Sequence, residues 1–155
     1  KYPEGQIGLY KKVIKEIREL TDNPIVIRPH FLYEDRTKIP KELLNENTMV
    51  SKNLKSSSTS FGGEGLDKDL SEARCVIGYN SNTLIETTLL GIPTITLDPL
   101  SHAYGVSHHS FTDYWNNYKR FERDQWAWDL SYMQWTWEEI NNGSAWSHLK
   151  GIYFE

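Results

Sequence analysis

Residues 70–98, LSEARCVIGYNSNTLIETTLLGIPTITLD, decide how the chain folds. Glu72-Ala73-Arg74 closes a short helix, and Cys75-Val76-Ile77 is an apolar, partly β-branched run of strand type. Gly78-Tyr79-Asn80-Ser81 turns out of that strand, and Asn80 or Ser81 is placed to cap a new helix over residues 82–90. Gly91 sits where a left-handed residue ends a helix, and Pro93 opens a second strand, Thr94-Ile95-Thr96-Leu97. Strand, tight turn, helix and strand make a βαβ unit. Its chemically distinctive place is the mouth where the first strand becomes the helix. Unpaired N–H groups and the positive end of the helix dipole converge there, an arrangement suited to a phosphate.

Working outward, residues 6–20 carry Tyr10, Val13, Ile14, Ile17 and Leu20 at three- and four-residue spacing, which predicts an amphipathic helix. Thr21-Asp22-Asn23-Pro24 stops it and Ile25-Val26-Ile27 reads as a short buried strand. Residues 41–45 suggest a short helix and Thr48-Met49-Val50 a further strand. Helices alternating with strands imply an α/β chain, specifically an open, mostly parallel, Rossmann-like sheet flanked by helices. Residues 1–110 form the expected core domain. Residues 111–155 form an aromatic-rich helical extension of the same domain, expected to pack back on it. All six tryptophans fall between Trp115 and Trp146. Within that extension, residues 122–134 read as a helix, Thr136 and Glu139 as a capping box, and Asn142-Gly143 as a stop before a last short turn.

The 155 residues carry a net charge of −4, which argues against broad nonspecific nucleic-acid binding. No apolar run approaches the roughly 20 residues of a membrane span, and no secretory leader pattern is visible. The single cysteine, Cys75, excludes a disulfide framework and fits a reducing cytoplasm. The sequence opens on Lys1 rather than Met, as a fragment or processed chain would.

The polar residues at the mouth suit an anionic guest. Asn80, Ser81, Asn82 and Thr83 supply small hydrogen-bonding groups at the helix start. Glu86, four residues after Asn82, lies one turn deeper on the same face, where it can accept from the vicinal hydroxyls of a ribose. Arg28-Pro29-His30 follows the strand at 25–27, and ligands of open α/β sheets sit at the carboxyl ends of strands. Arg28 is therefore expected to pair with phosphate and His30 to donate to a phosphoryl or sugar-bridging oxygen. Residues 51–65, with Ser57, Ser58, Gly62 and Gly63, read as a mobile loop, or as a lid that closes over ligand. Asp67-Lys68-Asp69 spells a D-x-D triplet, but its place at the start of a helix favours a dipole role, and no metal is expected. His102, His108 and His109 are expected on the surface, one of them a candidate general base.

Residues 78–86, GYNSNTLIE, with Leu90-Gly91-Ile92-Pro93-Thr94 after them, resemble the S-x-x-x-x-E…G-x-P signature of the donor-binding half of GT-B glycosyltransferases and their polysaccharide-synthesis relatives. That resemblance implies diphosphate contacts for Ser81 and Asn82 and a ribose contact for Glu86. It implies transfer from a nucleotide diphosphate sugar, most readily a UDP-sugar, with no cofactor required. Arg28-Pro29-His30 resembles the R/K-x-H-P element of bacterial capsule and sialyltransferase-like enzymes, except that proline here precedes the histidine. Residues 125–149 are similar to the tail of bacteriophage-associated glycosyltransferase-like proteins, some of which modify hydroxymethylated DNA bases. The implied acceptor is such a base or a glycan. A second domain or chain is expected to complete the site, because a GT-B enzyme has two Rossmann halves. A noncatalytic nucleotide-sugar binding module and a fragment of a sugar-nucleotide epimerase remain the alternatives.

Overall fold

A computed structural model describes residues 5–29, 39–53 and 63–153 of the chain. The elements in order are α1 (Gly5–Arg18), β1 (Ile25–Ile27), a 3-10 turn (Lys41–Leu43), β2 (Thr48–Val50), α2 (Gly63–Ser71), β3 (Val76–Gly78), α3 (Asn82–Leu90), β4 (Thr94–Thr96), a second 3-10 turn (Tyr104–Val106), α4 (Phe111–Asn116), α5 (Asp124–Tyr132), α6 (Trp137–Asn141) and α7 (Ser144–Tyr153). The chain divides into two compact units, residues 1–121 and 122–155. Phe111 and Tyr114 of α4 lie in the core of the first unit, so that unit continues past residue 110.

The first unit is mixed α/β, as expected, and its two strand pairs are parallel. Among the described residues, however, the strands form two pairs, β1 with β2 and β3 with β4, instead of one continuous sheet. Each strand is only three residues long. Pro24 and Pro29 flank β1 and Pro93 precedes β4, removing N–H groups that longer ladders would need there. Beyond β4 one more residue joins: the His108 N–H donates to the Thr94 carbonyl at 3.0 Å and the Thr96 N–H to the His108 carbonyl at 2.8 Å.

Ile17, Ile95, Phe111 and Tyr114 make the core, with Val13, Ile25, Ile77 and Trp115 packed against it. Apolar residues of α1, β1, β3, β4 and α4 thus share one cluster, which positions the carboxyl ends of β1, β3 and β4. Polar groups fix the helix ends. Arg18 at the end of α1 donates to the carbonyls of Asn23 at 2.8 Å and Asn47 at 2.6 Å, tying that helix to the approach of β2. Glu16 accepts from both the N–H and the hydroxyl of Thr112 at 2.8 and 2.9 Å, a carboxylate placed at the N-terminus of α4. Cys75 flanks the core, and burial pushes its thiol up to about 11.

The second unit consists of α5, α6 and α7. The expected capping box is present: the Thr136 hydroxyl accepts from the Glu139 N–H, and Glu139 accepts from the Thr136 N–H. Gly143 takes φ of 84° after α6. The final helix runs ten residues, Ser144–Tyr153, longer than the short turn expected from the sequence. Among the described residues no helix is long and apolar enough to cross a membrane.

Candidate functional site

The βαβ unit forms as read. Ser81 has extended backbone angles and its side chain accepts from the Thr83 N–H at 3.3 Å, while its carbonyl accepts from the Leu84 N–H at 3.0 Å. Gly91 is left-handed at φ 81° and its N–H returns to the carbonyls of Thr87 and Thr88. Gly78 sits at a point of close packing. A Cβ there would lie 3.0–3.2 Å from the Leu84 side chain, which is 1% exposed and holds α3 down on β3. On the same helix, Thr87 and Thr94 share a 2.9 Å hydroxyl contact that ties α3 to β4.

At the mouth, Asn80 and Asn82 are exposed, and Ser81, Thr83 and Glu86 are half-buried. The helix thus brings the four expected phosphate-site residues and Glu86 to one end of the unit. A residue not anticipated joins them. Asp98, buried at the carboxyl end of β4, accepts from the Asn80 amide at 3.1 Å and from the Leu100 N–H at 3.1 Å. Its signal in the sequence was its position, two residues past the end of a strand whose neighbour carries the helix. Backbone N–H groups, side-chain amides, hydroxyls and one carboxylate now share the mouth. Such a mixed set offers donors to an anionic group and acceptors to ligand hydroxyls, with the Asp98 carboxylate itself engaged by the Asn80 amide and the Leu100 N–H. Burial, then the nearby Asp67 charge, raises the Glu86 carboxyl above its ordinary value. Glu86 makes no hydrogen bond or ion pair among the described residues, so it is a partly desolvated acceptor.

Arg28 is placed differently from the expectation. Its Nη1 donates to Asp69 at 2.6 Å, to the Asn53 carbonyl at 3.0 Å and to the Gly65 carbonyl at 3.3 Å. Asp69 also accepts from the Ser51 hydroxyl at 2.6 Å and the Asn53 amide at 2.8 Å. Burial pushes the Asp69 carboxyl up, but the hydrogen bonds from Ser51, Asn53 and Arg28 outweigh it and hold it below its usual value. Gly65 is the close-approach point of this clamp, since a Cβ would overlap the Asn53 carbonyl. The cluster locks α2 to the segment after β2, and it accounts for Asp69 without a dipole role: α2 starts at Gly63, so Asp67 is its fifth residue and Asp69 its seventh, past the first turn. Gly63 opens that helix. His30, Ser57, Ser58 and Gly62 lie outside the described residues, so the histidine's role and the lid are not placed.

His108 is the clearest departure from the expectation of surface histidines. Its side chain is 2% exposed, and Nδ1 lies 2.8 Å from Asp113 Oδ2. An ionised carboxylate only accepts, so Nδ1 is the donor in this contact. Nε2 is buried without a hydrogen-bond partner among the described residues, enclosed by the rings of Tyr114, Tyr118 and Phe121. The hydrogen bond from His108 is the main reason the Asp113 carboxyl sits below its ordinary value. His109, by contrast, is exposed and stacks on Tyr104 with ring centroids 3.7 Å apart.

A cavity of about 540 Å³ lies at the amino ends of β3 and β4, lined by Arg74, Pro93, Tyr114, Trp115 and Tyr118. It is at the opposite end of those strands from Ser81. Comparison with protein-family models, with characterised proteins and with solved structures finds no match to the chain.

Proposed function

We propose that the chain binds a nucleotide sugar at the mouth of the β3-α3-β4 unit and is the donor-binding part of a GT-B-type, Rossmann-like glycosyltransferase. In this reading Asn80, Ser81, Asn82 and Thr83 meet the diphosphate, Glu86 accepts from the ribose, and the acceptor is a glycan or a hydroxymethylated DNA base. The observation that carries it is Glu86: a half-buried carboxylate with no hydrogen-bond or ion-pair partner among the described residues, on the same face as Asn82 and one turn below a capped helix N-terminus. An unpaired, partly desolvated carboxylate costs stability, and such a cost is commonly met where the group serves a ligand.

Calorimetry with UDP-glucose and UDP tests the assignment. Glu86→Gln weakens binding severalfold or more while raising the melting temperature slightly at neutral pH. The sign follows from the raised carboxyl: the folded state holds its proton to higher pH than the unfolded chain, so ionisation above that range costs stability that glutamine does not. Unchanged affinity removes the ribose role. A noncatalytic binding module is the second reading, and the Arg28–Asp69 pair favours it, because a guanidinium already neutralised contributes little to a departing diphosphate. Acceptor-dependent release of UDP separates the two: turnover supports the transferase, and saturable binding without turnover supports the module.

A further inference from the structure

We infer that the second unit, residues 122–155, is a docking module for a basic, apolar segment of another protein. The inference is independent of the nucleotide-sugar reading. Among the unit's described residues only Ala145 is buried. Yet the unit holds eight of the fifteen exposed large hydrophobic side chains found among the described residues of the whole chain. They pair at helical spacing. Trp128 and Tyr132 lie four apart on α5, Trp137 and Ile140 three apart on α6, and Leu149 and Ile152 three apart on α7. Trp137 is 80% exposed, Tyr132 72% and Trp128 64%.

Helices of nine, five and ten residues do not persist in water on propensity alone, and caps such as the Thr136–Glu139 box add only about 1 kcal/mol. A unit of this size normally relies on a core, a disulfide or a metal. The chain's one cysteine is in the other unit. The apolar area that would hold α5, α6 and α7 together is instead turned outward, in the tryptophan- and tyrosine-rich composition that carries binding energy at protein interfaces.

Charge selects the partner. The segment has six acidic residues, Glu122, Asp124, Asp129, Glu138, Glu139 and Glu155, against Arg123 and Lys150. It therefore carries the whole net charge of −4, and the first 121 residues balance. Nucleic acid and anionic bilayers are repelled by such a surface. Exposed Met133, Ile140 and Ile152, aliphatic side chains in the same unit, favour a partner with apolar side chains over a glycan, which needs flat rings and amides only. A segment presenting lysine or arginine around leucine-like side chains satisfies both features, with its cations free to lie over the indoles.

The full chain is titrated, by calorimetry and tryptophan emission, with a synthetic leucine–lysine amphipathic helix, its leucine–glutamate counterpart and cellohexaose. The lysine peptide binds, and its affinity falls as salt is raised from about 50 to about 500 mM. The pair Trp128→Ala and Trp137→Ala weakens it by about tenfold or more. Glu138→Gln, which removes charge and keeps size, weakens it about twofold and arbitrates if the double variant loses helical signal by circular dichroism. Equal binding of the glutamate peptide, binding of cellohexaose, indifference to the substitutions, or no binding of the lysine peptide each overturns the inference.

Discussion

The first unit and the second spend their apolar residues in opposite ways. In the first, Ile95 is wholly buried and Ile17, Phe111 and Tyr114 close around it, so that side chains from distant parts of the sequence depend on one another. In the second, helices are specified locally, by a capping box and a left-handed glycine, while tryptophans face outward. The difference teaches that helical order and a packed interior are separable. Good start and stop signals shape a segment, but only burial makes it cooperative.

Truncation probes that contrast most strongly. Ile95→Ala removes the centre of the first unit's core and is expected to cost about 3–5 kcal/mol in urea unfolding, whereas Trp137→Ala is expected to cost under about 0.5 kcal/mol. Comparable losses at the two sites would mean that the second unit has an interior after all.

Asp69→Ala comes next, at about 3 kcal/mol, because Arg28 would be left partly buried without its counter-charge while Ser51 and Asn53 lose an acceptor. Its pH dependence has a definite sign. The folded carboxyl lies below its unfolded value, so the stabilisation is complete above the unfolded value near 4 and is lost as pH falls through the folded one. Acid titration of Asp69→Asn should show a flatter loss over that window. An unchanged acid limb would mean that the clamp does not contribute.

Thr136→Ala is expected to cost about 1 kcal/mol, and it sharpens the comparison by location. Hydrogen exchange should quicken in α6 while amides of β3 and β4 keep their rates. Faster exchange in both places would show that the two units unfold together.

Much of the first unit was legible in the sequence because its signals are local. The 3.6-residue rhythm of α1, the serine before α3 and the glycine after it each act over a few residues, and the observed bounds of α3 match the reading. Strand pairing was less legible, since three-residue strands say nothing about which neighbour they join or where a sheet stops. At the candidate site, the helix-borne residues Ser81, Asn82, Thr83 and Glu86 were readable from spacing. Asp98 and the partners of Arg28 were not, because they arrive through tertiary contacts over separations of 18 residues for Asn80 with Asp98 and 41 for Arg28 with Asp69. His108 was misjudged for the same reason. Its loop-like surroundings gave no hint that one residue would extend the edge of β4 and carry the imidazole inward.

The lone thiol turns this architecture into its own reporter. With burial pushing the Cys75 thiol up to about 11, thiolate is scarce at pH 8, so alkylating reagents react sluggishly with the native chain and faster once the flanking core opens. Labelling kinetics followed by mass spectrometry would therefore clock the opening of the region around β3 without any engineered probe.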